Sequence, residues 1–223
     1  MILAIFIIIL RFVQVRTGKN KEKPYRRYYL SEFNNIFLRL IEPSYLYDDK
    51  KVISEKSYKM IQLSSYDRYE ANGLISGTLE DCYPFQAGQV TTMSTYEDQN
   101  ENRITRIDFD GILYEIKLPI NIYSKLYLRS DKKADNAGFF RKLMNPDVLL
   151  TNLKVQMDSK EFERIFDVYA EDNFFAMRLF TPDAMHDLIK LYTTSSSKFE
   201  ATIQNDTLYI RFSTGEIFRA LRI

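Results

Sequence analysis

The chain opens with ten residues that carry no charge, Met1 to Leu10 reading MILAIFIIIL, and Phe12, Val13 and Val15 prolong the apolar run past Arg11. Charge comes only behind it. Arg11, Arg16, Lys19, Lys21, Lys23, Arg26 and Arg27 follow, interleaved with Tyr25, Tyr28 and Tyr29 and opposed by the lone acid Glu22. A chain that starts this way must bury its start, either in a protein core or in a bilayer. As a helix rising about 1.5 Å per residue, residues 1–15 cover roughly 22 Å, less than the roughly 30 Å of hydrocarbon in a membrane. A secretory signal places positive charge ahead of the apolar run and a small-residue cleavage site behind it, and this sequence does neither. Basic and aromatic residues directly behind an apolar run are what a membrane interface attracts, and the positive-inside rule then puts the chain beyond Val15 in the cytoplasm.

The expected organisation is a hydrophobic membrane helix over residues 1–15, a basic and aromatic juxtamembrane linker over 16–29, and one cytoplasmic domain over 30–223. Arg11, Arg16, Lys19, Lys21, Lys23, Tyr25, Arg26 and Arg27 are the expected interface residues, with Arg11 snorkelling. Two alternatives stay open. The run is a buried core helix or strand, or it is the second half of a longer membrane region.

Thirty-one basic side chains against 30 acidic ones leave a formal charge of +1, so no net field draws the chain onto nucleic acid. The expected partners are membrane lipids through the N-terminus and a protein. The single cysteine, Cys82, cannot close an intrachain disulfide, which fits a reducing compartment.

Beyond the flank the pattern is α+β, with antiparallel strands and several short helices. Phe33, Ile36, Phe37, Leu40 and Ile41 fall at helical spacing, with Ser31 placed to cap and Pro43 to stop. Ser54 to Leu63 is a second, shorter helix. From Tyr69 to Leu128 the period drops to two, as in Leu74, Ser76 and Thr78 against Ile75, Gly77 and Leu79, and the polar stretch Glu97 to Asn102 separates two strands. Pro84 and Pro119 are expected at strand ends or edges. Ala137 to Met144 reads as a brief helix and Leu149 to Met157 as a strand. Short helices follow from Ser159, over Asp172 to Phe180, and from Pro182, where Thr181 caps. Phe199 to Ile203 and Thr207 to Phe212 flank Gln204, Asn205 and Asp206, a hairpin signal.

The stretch Glu161-Phe162-Glu163-Arg164-Ile165-Phe166-Asp167-Val168-Tyr169-Ala170-Glu171-Asp172 resembles the block that marks the bacterial family called domain of unknown function 3137. Ala176 and Leu179-Phe180-Thr181-Pro182, then Met185 and Leu188, then Asn205 with Leu208-Tyr209-Ile210, continue the resemblance. Upstream, Tyr66-Asp67-Arg68-Tyr69 with Gly77, and Phe109-Asp110-Gly111-Ile112-Leu113, are similar to two further elements in the right order. Met177 and Ala71-Asn72-Gly73 depart from the family's pattern. Members commonly carry two membrane helices ahead of the soluble domain, and the resemblance implies no assigned activity.

Chemistry is sparsely signalled. His186 is the only histidine, the seven glycines form no phosphate-binding loop, and no cofactor is expected. Acids are the one acid–base material in quantity. Asp167, Glu171, Asp172 and Asp183 share a window and are the candidates for a carboxylate-based hydrolase, with or without a divalent metal. Against that stands the reading in which Asp167 and Asp172 hydrogen-bond turn backbone and Asp183 sits in a first helical turn. Tyr123, Lys125, Tyr127 and Arg129, alternating with Leu126 and Leu128, read as a half-solvated strand. The leading expectation is a membrane-anchored, non-catalytic interaction module.

Overall fold

The structure, a computed structural model, describes residues 24–61, 65–97, 101–130, 154–195 and 197–215. Its elements run α1 (Pro24–Ile41), β1 (Leu46–Asp48), α2 (Glu55–Ile61), β2 (Arg68–Leu79), β3 (Tyr83–Glu97), β4 (Arg103–Arg129), β5 (Lys154–Val155), α3 (Lys160–Ile165), β6 (Asp167–Ala170), α4 (Asn173–Leu179), α5 (Pro182–Ser195) and β7 (Phe199–Phe212). The seven strands form one sheet, and every pairing in it is antiparallel. The expected membrane helix, the interface residues Arg11 to Lys23 and the expected helix Ala137–Met144 lie outside the described residues. Of the strand expected over Leu149 to Met157, Lys154 and Val155 pair with Tyr169 and Val168.

Two strands double back. Were β7 straight, Glu200 and Arg211 would stand roughly 36 Å apart at ~3.3 Å per residue. Instead Arg211 Nη2 lies 2.5 Å from Glu200 Oε2, the Phe199 and Phe212 rings are 5.2 Å apart, and Ser213 N donates to Lys198 O at 2.9 Å. β7 is therefore the expected hairpin, turning at Asn205, which takes the left-handed φ of 56° that asparagine tolerates.

β4 wraps around that hairpin. Its first arm pairs with the second arm of β7 (Ile112↔Phe212 to Lys117↔Thr207), and its second arm with the first (Leu126↔Ile203 to Arg129↔Glu200). Between them the chain crosses the hairpin tip, where Lys117 Nζ donates to Asp206 Oδ1 at 3.2 Å. Pro119 falls in this crossing, where a missing N–H costs no ladder bond. Pro84 is the second residue of β3, at the strand end expected for it.

Both faces of the sheet are covered, and the alternation shows it. Ile112, Tyr114, Ile116, Leu126 and Leu128 join Phe162, Phe166, Phe180, Met185 and Leu191 in the larger core, beneath α3, α4 and α5. Leu113 and Tyr127 point the other way, into a smaller core with Tyr58 and Ile61 of α2. Ser159 and Thr181 start their helices as expected, and Asp172 does the same for α4. Ser159 Oγ accepts from Phe162 N at 3.2 Å, Asp172 Oδ1 from Phe174 N at 2.8 Å, and Thr181 Oγ1 from Ala184 N at 3.3 Å.

Helix α1 departs from expectation. It begins at Pro24, a residue pre-shaped for a first helical position, so Ser31 lies inside it and caps nothing.

Candidate functional site

The face covered by α2 carries a row of charges. The Cα partners of Arg129 are Asp167 on β6 and Glu200 on β7, and the fold-back of β7 sets Arg211 opposite Glu200. Read across four adjacent strand segments, the order is Asp167, Arg129, Glu200, Arg211, alternating in sign, and Lys154 of β5 adds a cation at the acidic end. Arg129 Nη2 lies 2.9 Å from Asp167 Oδ2, with the two side chains 2% and 0% exposed, and Lys154 Nζ lies 2.7 Å from Asp167 Oδ1. Charges so deep persist only when paired, and here strand register supplies the partner.

At the other end Arg211 Nε donates to Glu200 Oε2 at 2.8 Å and Nη1 to the Tyr58 hydroxyl at 3.1 Å. The guanidinium sits 5.6 Å from the Tyr58 ring centre and 5.2 Å from that of Phe109, in cation–π range of both. A second hydrogen bond, 3.1 Å long, joins the Tyr58 hydroxyl to Thr92 Oγ1. The neighbouring row holds Tyr169, Tyr127 and Thr202, with the two tyrosine rings 6.2 Å apart.

Electrostatics in the row fixes charge states. Burial opposes the Asp167 carboxylate, but Lys154 and Arg129 outweigh it and hold the group below the usual carboxylate range. Burial likewise opposes the Arg129 and Arg211 cations, and the pairing with Asp167 in one case and Glu200 in the other keeps each above its ordinary value. Burial, then the Glu200 carboxylate, drives the Tyr127 phenol well up. Pairing thus favours the charged forms of Asp167, Arg129 and Arg211.

The four candidate acids take separate posts. Asp167 is inside the row. Glu171 Oε2 accepts from Lys125 N at 3.1 Å while Glu171 N donates to Lys125 O at 3.2 Å, tying the entry of α4 to β4. Asp172 caps α4, and Asp183 is exposed in the first turn of α5. Among the described residues no three His, Cys, Asp or Glu side chains are grouped as a metal would need. His186 and Cys82 are both exposed.

Sequence reasoning missed Lys154, Glu200 and Arg211, and misplaced Tyr127 and Arg129. The expected half-solvated strand is buried on both faces at these two residues, each 2% exposed, because Asp167 supplies the counter-charge that lets Arg129 leave water. Glu200 and Arg211 were reachable from the hairpin alone, since a turn at Asn205 and Asp206 makes them cross-strand neighbours.

Helix α1 presents a second unusual surface. Ile36 and Leu40 are 62% and 80% exposed, with Phe33 at 53% beside them, while Leu38 is buried. Asn35 faces inward instead and clamps β1, its Oδ1 accepting from Tyr47 N at 2.7 Å and its Nδ2 donating to Tyr47 O at 2.9 Å. No helix among the described residues is long and apolar enough to cross a membrane.

Fold and site together define an antiparallel α+β domain stapled by an internal row of paired charges. The chain belongs to the family described as "Protein of unknown function (DUF3137)", whose pattern matches residues 107–221 and so takes in the entire row. Several residues that carry the family resemblance hold structural posts. Asp167 anchors the row, Asp172 caps α4, Asn205 makes the turn, and Gly111 admits the Phe212 carbonyl oxygen where any Cβ would overlap it. Among solved structures, the mycobacterial trehalose monomycolate transport factor A, TtfA, aligns over 86% of this chain and 83% of its own at 8% identity, with a TM-score of 0.39. No curated protein matches the chain.

Proposed function

We propose that this chain is a membrane-anchored, non-catalytic module on the cytoplasmic side of a bilayer that binds a protein partner. The observation that carries the reading is an inversion of what an active site displays. The charges of the row are sunk into mutual pairs, while large apolar side chains stand in water: Tyr123 is 91% exposed and Phe174 81%. The Lys125–Glu171 hydrogen bonds hold the segments bearing these two together at one end of the sheet. Apolar surface kept exposed at a fixed place supports recognition rather than turnover. The apolar start and its basic flank support the anchor.

A fluorescent fusion of the full chain, compared with one beginning at Pro24, tests the anchor without cutting into α1. Membrane localisation of the first alone is expected, and identical behaviour of the two overturns that half of the proposal. Affinity purification of the detergent-extracted full chain tests the other half. A partner retained by the parent and lost with Tyr123→Ala plus Phe174→Ala is expected, and no partner above background refutes it.

A further inference from the structure

We propose that α1 lies along the bilayer surface, seating Ile36 and Leu40 among anionic lipid headgroups, an inference that rests on the anchored reading above. The starting observation is that part of the apolar stripe of the helix is left outside the core while Ile41 packs on it. An amphipathic helix on a folded domain normally presents its apolar stripe to the core. Here Ile36 and Leu40, one helical turn apart, point to solvent at 62% and 80% exposure, and the inward side is held by Leu38, Ile41 and the amide of Asn35. Because that amide both accepts from and donates to the backbone of Tyr47, α1 cannot roll to hide the stripe without breaking two hydrogen bonds.

The occupant is identified by what adjoins the helix. The uncharged part of the apolar run ends at Leu10, and the 13 residues between it and Pro24 reach no more than about 50 Å even fully extended. If the run enters a membrane, α1 starts within reach of that surface. Those 13 residues carry Arg11, Arg16, Lys19, Lys21 and Lys23 against Glu22 alone, while on α1 exposed Arg39 is offset by exposed Glu32. Basic charge of this density complements an anionic leaflet, and an apolar helical stripe beside it is the usual interfacial arrangement. A second copy of the chain, meeting stripe to stripe, would be repelled by the same cluster.

The test uses the full chain with Cys82→Ser, carrying either Ile36→Cys or Leu40→Cys labelled with an environment-sensitive fluorophore. Lys56→Cys on α2, over the opposite face of the sheet, is the control. On vesicles of phosphatidylcholine with phosphatidylserine, the probes at 36 and 40 should shift to the blue and lose intensity when the lipids are brominated near the headgroup. The probe at 56 should do neither. Flotation with the vesicles while the probes at 36 and 40 stay water-like overturns this inference and leaves the anchor standing. Failure to float overturns both. An equal response on pure phosphatidylcholine overturns the anionic assignment, and a blue shift that needs protein concentration but no vesicle assigns the stripe to a second copy.

Discussion

Replacing Asp167 by Asn removes the one carboxylate that two cations share. Arg129, 2% exposed, then loses the counter-ion it meets at 2.9 Å, and Glu200, its other neighbour by register, is already engaged by Arg211 at 2.5 Å. Breaking a buried pair from one side costs about 3–5 kcal/mol. Lys154, 55% exposed, turns to water and adds less than about 1 kcal/mol. Against a typical total of about 5–15 kcal/mol this is a large fraction. With a urea slope of about 2 kcal/mol per molar, the unfolding midpoint of the full chain in mild detergent should fall by about 1.5–3 M, read by near-ultraviolet circular dichroism. Replacing both partners, as Arg129→Met with Asp167→Leu, should recover stability to within about 1 kcal/mol of the parent. A midpoint that falls by less than about 0.5 M in Asp167→Asn, or a double variant as weak as the single one, would refute the reasoning from burial.

Three further expectations rest on the same geometry. Because the folded-state value of Asp167 lies below its unfolded value of about 3.9, its contribution is full above that pH and lost as pH falls through the folded value. Stability measured from about pH 7 to about pH 3 should therefore drop more steeply in the parent than in Asp167→Asn, and parallel curves would contradict this. Gly111→Ala should destabilise by about 1–3 kcal/mol, since the new Cβ meets the Phe212 carbonyl oxygen, a backbone atom that cannot swing aside; an unchanged thermal midpoint would disprove the close approach. Asn35→Ala should leave global unfolding within about 1–2 kcal/mol of the parent while amide exchange at Tyr47 accelerates, because it removes both bonds of the clamp. Unaltered exchange at Tyr47 would show that the clamp holds nothing.

Much of the architecture was legible because local rules set it. Ser159, Asp172 and Thr181 cap where hydroxyls and carboxylates ahead of an apolar run should, and Asn205 with Asp206 makes the turn its residues favour. Period-two alternation located β2, β3 and β4. What the pattern could not show was that β4 passes over the tip of β7 and runs on. That crossing holds only through non-local pairing, such as Lys117 with Asp206, and Pro119 inside it imitates a strand end. The charge row was hidden for a related reason. Arg129 is indistinguishable from a solvated residue until β6 brings Asp167 alongside, and the family block alone does not say that Asp167 pairs with Arg129 and Lys154. Helix α1 was expected as a helix with one apolar face, and apolar spacing does not say which way such a face turns. Asn35 decides that, through an amide bonded to a strand that lies beyond the helix.

Whether the buried charges hold the domain together and do no chemistry is tested most directly by complementation of a deletion strain with the full chain carrying Arg129→Met and Asp167→Leu. A folded, membrane-localised protein that restores the parental phenotype and still captures its partner is expected. A double variant that folds, reaches the membrane and binds its partner, yet fails to complement, would contradict the structural role and return Asp167 to the status of a working acid.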